Sequence, residues 1–146
     1  MIRVLIAEDS PVVHLVLVSL FRKKELGIEV VGVAGNGAEA LEMCRTLKPD
    51  LVTMDVFMPE MDGLEATKRI MEESPTRIVI VSSMVNTSDM RTSFEAMHCG
   101  AVEVIEKPHG ALSGNYEEVQ KRLGRIIAQM METSPENRFS WIDSEP

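Results

Sequence analysis

The 146 residues suit one compact domain, and 45% hydrophobic with 26% charged residues exclude a disordered chain. Fifteen Lys and Arg against 23 Asp and Glu leave a net charge of −8, so phosphate backbones would repel the chain and no direct nucleic-acid binding is expected. Cys44 and Cys99 form neither a CxxC pair nor a zinc pattern, Glu8 and Asp9 interrupt the first apolar run too early for a signal peptide, and no apolar stretch approaches a membrane span; a reducing, cytoplasmic setting without membrane contact is expected.

Five short apolar runs alternate with segments of helical period, the pattern of βα units around a parallel sheet. The first strand is expected at Ile2 to Ala7, followed by a helix with Ser10 as cap and Pro11 in the first position, apolar through Val12, Leu15, Val16 and Leu20 and ending on Arg22, Lys23 and Lys24. The second strand is Ile28 to Ala34; its helix opens on Asn36 with Glu39 three residues on, presents Ala40, Cys44 and Leu47 on one face, and stops at Pro49. The third strand, Asp50 to Met54, leads to a helix over about Gly63 to Glu73. The fourth, Arg77 to Val81, leads to one carrying Met90, Phe94 and Met97, with Gly100 where a left-handed cap is wanted. The fifth strand is Val102 to Glu106, and its helix starts at Asn115 and Glu118, with Tyr116, Val119, Leu123, Ile126, Ile127 and Met130 as a stripe that fits a sheet. Near-continuous Val, Ile and Leu in the strands implies that both sheet faces are covered. From Thr133 the period stops; residues 133–146, polar and proline-punctuated with Trp141, read as a linker or tail after a domain of residues 1–132.

Ligands of such sheets bind at the carboxyl ends of the strands. Here those ends carry Glu8 and Asp9, then Asp55, then Ser82 and Ser83, then Lys107-Pro108. If the strand order is 2-1-3-4-5, all face one crevice. Carboxylates about 4 Å apart repel by on the order of 4 kcal/mol per pair at an effective dielectric near 20, so the cluster needs a cation. Hard oxygen donors without Cys or His suit Mg2+, and Lys107 adds a fixed positive charge. A divalent cation, a lysine and a serine hydroxyl suit phosphoryl oxygens, with an aspartate beside them as nucleophile.

Glu8-Asp9-Ser10, the run Asp55-Val56-Phe57-Met58-Pro59-Glu60-Met61-Asp62-Gly63, Ser82, Gly100-Ala101 and Lys107-Pro108 together resemble the receiver domain of two-component response regulators, over about Met1 to Met131. The stretch Met58 to Ala66 with Val79 to Met84 is most similar to the receiver half of chemotaxis protein-glutamate methylesterases. The resemblance implies a flavodoxin-like (βα)5 three-layer sandwich with a five-stranded parallel sheet of order 2-1-3-4-5. It implies that Asp55 accepts a phosphoryl group from a sensor histidine kinase and that the chain is a regulatory domain, either joined to a C-terminal effector domain or standing alone as a single-domain receiver; the partners are that kinase and that effector, and the sequence leaves a homodimer open. Asp9, Asp55 and the backbone carbonyl of Phe57 would hold Mg2+, with Glu8 acting through a bound water. Lys107 would pair with the phosphoryl group, Ser82 would hydrogen-bond it, and a cis bond before Pro108 would aim the lysine.

Two positions depart from the family pattern. Val104 stands three residues before Lys107, where receivers commonly carry an aromatic ring that moves inward, so the expected switch is a shift of the Ser82-Ser83 loop and the fourth helix. Phe57 places a bulky apolar side chain beside the acyl phosphate, against attack by water. Taken alone, Glu8 and Asp9 read as helix-start acids; only with Asp55 and Lys107 do they read as a site. Cys44 and Cys99 read as small buried residues, His14, His98 and His109 as helix-face or solvated ones, and the methionines as core filler. A phosphatase of the haloacid dehalogenase type would need a second acid where Phe57 stands, and a flavin carrier would need a Ser/Thr/Gly-rich loop where Glu8 and Asp9 repel phosphate.

Overall fold

A computed structural model describes residues 2–22, 27–82, 98–101, 103–107 and 116–132. Strands β1 (Ile2–Ala7), β2 (Ile28–Ala34), β3 (Leu51–Asp55), β4 (Arg77–Ser82) and β5 (Glu103–Glu106) form one parallel sheet in the order β2-β1-β3-β4-β5. The described helices are α1 (Pro11–Phe21), α2 (Gly37–Leu47), α3 (Gly63–Glu73) and α4 (Tyr116–Glu132), the last being the fifth helical segment of the sequence. From β1 the chain passes outward to β2 and then returns to the other side of β1 as β3. That reversal is the switch point at which a crevice opens beyond the strand ends.

Alternation along the strands divides the core in two. Leu5, Ala7, Val52, Met54, Ile78 and Ile80 pack under α2 and α3 against Ala40, Leu41, Cys44, Ala66 and Ile70. Val4, Ile6, Leu51, Val79, Val81 and Ile105 pack on the opposite face against Leu17, Leu20 and Phe21 of α1 and Val119, Leu123, Ile126 and Ile127 of α4. The sheet is therefore the middle of three layers.

The caps work as their residue types demand. The side chains of Ser10, Asn36 and Asp62 accept from the amides of Val13, Glu39 and Glu65, satisfying one otherwise unpaired N–H at the start of each helix. Helix α2 ends on Lys48 in a left-handed conformation (φ 48°), ahead of Pro49, and Arg3 reaches across from β1 to donate to the carbonyls of Leu47 (2.6 Å) and Lys48 (3.1 Å). The Arg3 amide in turn donates to Asp50 Oδ2 at 2.9 Å. With its side chain in that contact Asp50 precedes the strand, and β3 runs from Leu51 to Asp55, one residue later than the apolar pattern suggests. Gly100 has the expected positive φ (114°), and a Cβ there would also stand 2.7 Å from Met71 Cγ, so both backbone and space call for glycine.

Lys23, Lys24, Ser83, Met84, Met90, Phe94, Met97, Val102, Pro108 with its expected cis bond, His109, Asn115 and the tail 133–146 lie outside the described residues, as does the side chain of Met130. Among the described residues no helix is long and apolar enough to cross a membrane.

Candidate phosphoacceptor site

The carboxyl edge of the sheet brings the polar strand ends together. Ile6, Leu51 and Ile105 lie in the core under α1 and α4, and Glu8, Asp55 and Lys107 stand an even number of residues further on, so the pleat sends all three to the same side. The Glu8 amide donates to Ala34 O at 2.9 Å, which carries the β1–β2 pairing past Ala7. The Lys107 amide donates to Ser82 O at 2.8 Å, which does the same for β4 and β5. Ser82 is itself buried and follows Ile78 and Ile80 of the other core, so it reaches the edge from the opposite side.

One carboxylate oxygen from each of Glu8, Asp9 and Asp55 lies within 4.8 Å of the other two; Glu8 and Asp55 are buried and Asp9 is exposed. Lys107 Nζ bridges the two buried acids, 3.1 Å from Asp55 Oδ1 and 3.3 Å from Glu8 Oε2. Glu8 Oε2 also accepts from the Ser10 amide at 3.0 Å, whereas Glu8 Oε1 is buried with no hydrogen-bond partner among the described residues. Burial, and next the charge of Glu8, push the Asp55 carboxyl up to about 7, against the opposing pull of Lys107. For Lys107 burial acts downward, but Asp55 and Glu8 outweigh it and hold the ammonium above its ordinary value. Among the described residues the site is thus short of positive charge: one lysine faces three carboxylates, and a buried carboxylate oxygen is left over. An all-oxygen set with an orphaned acceptor fits a hard divalent cation.

The segment after Asp55 is held tightly by its backbone. The Gly63 amide donates to Val56 O and the Met61 amide to Pro59 O, each at 2.7 Å, while Glu60 takes a left-handed conformation (φ 67°). A Cβ at Gly63 would sit 1.9 Å from Asp55 O, so only glycine lets α3 start this close to the strand end. Left-handed backbone is unfavourable for a residue with a Cβ. Glu60→Gly is accordingly expected to stabilise the protein by about 0.5–1 kcal/mol, the strain relieved exceeding the extra freedom of the unfolded chain, as read by the midpoint of urea unfolding.

The response regulator receiver domain family matches residues 4–113. The chain belongs to that family. It is 44% identical over 138 residues to protein-glutamate methylesterase/protein-glutamine glutaminase 4 of Myxococcus xanthus, covering 94% of this chain and 38% of that protein. A second such protein, number 1 of Syntrophus aciditrophicus, is 46% identical over 140 residues, 96% of this chain and 39% of its own. The receiver thus spans about two fifths of the length of these relatives. Among solved structures it is similar to the response regulator domain of Thermotoga maritima CheB, with a TM-score of 0.78 and 41% identity over 92% of this chain and 99% of that one.

As the sequence suggested, the chain is a receiver domain similar to those of protein-glutamate methylesterases, on a flavodoxin-like sheet of order 2-1-3-4-5, and its strand ends bring Glu8, Asp9 and Asp55 into one acidic cluster. Phe57, two residues after Asp55, is 65% exposed. Val104 is half-buried against the core under α2 and α3, opposite Ile80, so the place common to an aromatic ring in other receivers holds a short aliphatic one. The direct contact between Lys107 and Glu8 had no sequence signal, because the two residues are 99 apart and meet only once the sheet order is known. The Cys44 thiol, buried and pushed up to about 12, is inert at neutral pH, in keeping with a packing role.

Proposed function

We propose that residues 1–132 form a receiver that takes a phosphoryl group onto Asp55 from the phosphohistidine of a sensor histidine kinase. Residues 133–146 then serve as the linker to a C-terminal effector, a methylesterase domain, in the cytoplasm. The observation that carries this reading is the buried Asp55 carboxylate at a strand end, 3.1 Å from Lys107 and within reach of two further acids. A carboxylate oxygen of Asp55 attacks phosphorus; the O–P bond forms as the P–N bond breaks, and the leaving imidazole nitrogen keeps the electron pair and takes up a proton. Lys107 then faces the phosphoryl oxygens, and the Ser82 hydroxyl donates to one of them. Asp9, Asp55 and the Phe57 carbonyl would hold Mg2+, with Glu8 Oε1 accepting from a coordinated water. Bound there, Mg2+ supplies the positive charge that offsets the developing negative charge on the transferring group.

The rim supports delivery by a protein donor. Val12 (70% exposed) and Leu15 (65%) share one face of α1, whose cap Ser10 follows Asp9, and the exposed Phe57 stands two residues after Asp55. Large exposed apolar side chains around a charged centre fit a partner that covers the site while the phosphoryl group moves. An aspartate-based phosphatase is disfavoured because Phe57 offers no general acid or base.

Intact mass spectrometry after incubation with phosphoramidate and Mg2+ is expected to show one added phosphoryl group. Hydroxylamine should remove it, as expected of an acyl phosphate. Asp55→Asn should lose the adduct; full-yield labelling of that variant at another residue would show that the nucleophile has been misassigned.

A further inference from the structure

The segment from Asp55 to Asp62 is held from outside as well as from within, and the outside contact comes from an element with no residue in the acidic cluster. Helix α2 starts at Gly37, and the amide of a first helical residue has no partner inside its own helix. Here that amide donates to Met61 O at 3.0 Å. The approach is close enough to exclude every side chain: a Cβ on Gly37 would stand 2.2 Å from Met61 O and 2.9 Å from Met61 Cβ. The obstacle is backbone, so it cannot rotate away. Met61 is pinned on its other side by its own amide on Pro59 O, and the neighbouring Glu60 is already in a left-handed conformation. A push on Met61 O therefore has little slack to absorb it before it reaches Phe57 and Asp55.

We propose that Gly37 is a positioning residue for the phosphoacceptor site: through its contact with Met61 it sets the height of the segment 56–62 and, with it, the place of the Phe57 carbonyl. The inference rests on the reading that this carbonyl and Asp55 hold Mg2+. It assigns to the β2–α2 turn, on the far side of the loop from Lys107, control over how well the site takes its cation. The turn offers its own control position. Gly35, two residues earlier, would bring a Cβ no closer than 3.3 Å to Glu39 Oε1, the side-chain end that accepts from the Gly35 amide at 2.9 Å, so alanine there adds the same methyl group without touching the segment 56–62.

The test titrates the whole chain with Mg2+ alone, followed by amide NMR, for the natural sequence, Gly37→Ala and Gly35→Ala, with thermal unfolding of each. Loss of a contact that orients a metal ligand costs about 10–100-fold in affinity, so Gly37→Ala is expected to weaken Mg2+ binding at least about tenfold, and Gly35→Ala to stay within about twofold. In the natural protein the Gly37 amide should shift with the same midpoint as the Phe57 amide, a readout that needs no variant and stands even if Gly37→Ala fails to fold. Unchanged Mg2+ affinity in a folded Gly37→Ala, equal weakening in both variants, or a Gly37 amide that ignores Mg2+ while Phe57 responds would each overturn the assignment. If the natural protein itself binds no Mg2+, the reading of the site fails, and this inference fails with it.

Discussion

Raising the pH of the metal-free protein from about 4 to about 8 is expected to erode its stability by about 4 kcal/mol through Asp55, and Asp55→Asn is expected to remove that erosion. The folded carboxyl titrates near 7 and the unfolded one near 3.8, so the folded state holds the proton more tightly. The contribution of Asp55 is therefore fully present below the unfolded value and is lost as pH rises through the folded value, with a slope of about 1.4 kcal/mol per pH unit in between. An amide is neutral throughout and resembles the protonated acid. The variant should accordingly match the natural protein at the acid end and exceed it most above about pH 8, although it has lost its phosphoacceptor. Chemical unfolding of both proteins at several pH values without divalent ions measures this directly. A constant difference across the range would mean that Asp55 ionises in the folded state as readily as in the unfolded chain. Saturating Mg2+ should flatten the curve of the natural protein, since a cation binds the ionised carboxylate.

The same acids show how far local sequence carries and where it stops. The bounds of β1, β2 and α3 coincide with what apolar period and helix signals indicate, and Ser10 and Asn36 cap the helices they precede, because those features depend on neighbours a few residues away. Asp55 could be placed at a strand end for the same reason. What no local pattern carries is the set of contacts made when distant strands meet. Lys107 on both Glu8 and Asp55, Arg3 over the last carbonyls of α2, and Gly37 against Met61 O all join residues tens of positions apart. The left-handed backbone at Glu60 belongs with them: glutamate does not announce a positive φ, which the bonds at Val56, Met61 and Gly63 impose. The burial of Glu8 and Asp55 follows from the fold, but the orphaned oxygen of Glu8 emerges only once every described neighbour around it is in place.

Lys107→Met should be costlier than its place at the end of an edge strand suggests. The lysine contacts both buried carboxylates, and removing one side of such a cluster leaves uncompensated charge inside, at about 3–5 kcal/mol in typical cases. Methionine keeps the aliphatic stem, so a loss measured at about pH 8 without metal reports charge rather than packing. The deficit should shrink toward about pH 5, because Asp55 then takes a proton in place of the missing ammonium. Mg2+ should reverse it further: in the natural protein an incoming cation meets carboxylates already partnered by Lys107, whereas in the variant it meets them bare, and its affinity should rise by roughly tenfold, about 1.4 kcal/mol. Combining Lys107→Met with Asp55→Asn separates the parts. If the lysine acts through Asp55, the double variant should be much less destabilised by the lysine change than Lys107→Met alone is relative to the natural protein, because one fewer buried charge is left unpaired. If instead the two changes add, and Mg2+ affinity does not move, Lys107 owes its place to packing at the end of β5, and the charge balance proposed for the phosphoacceptor site is wrong.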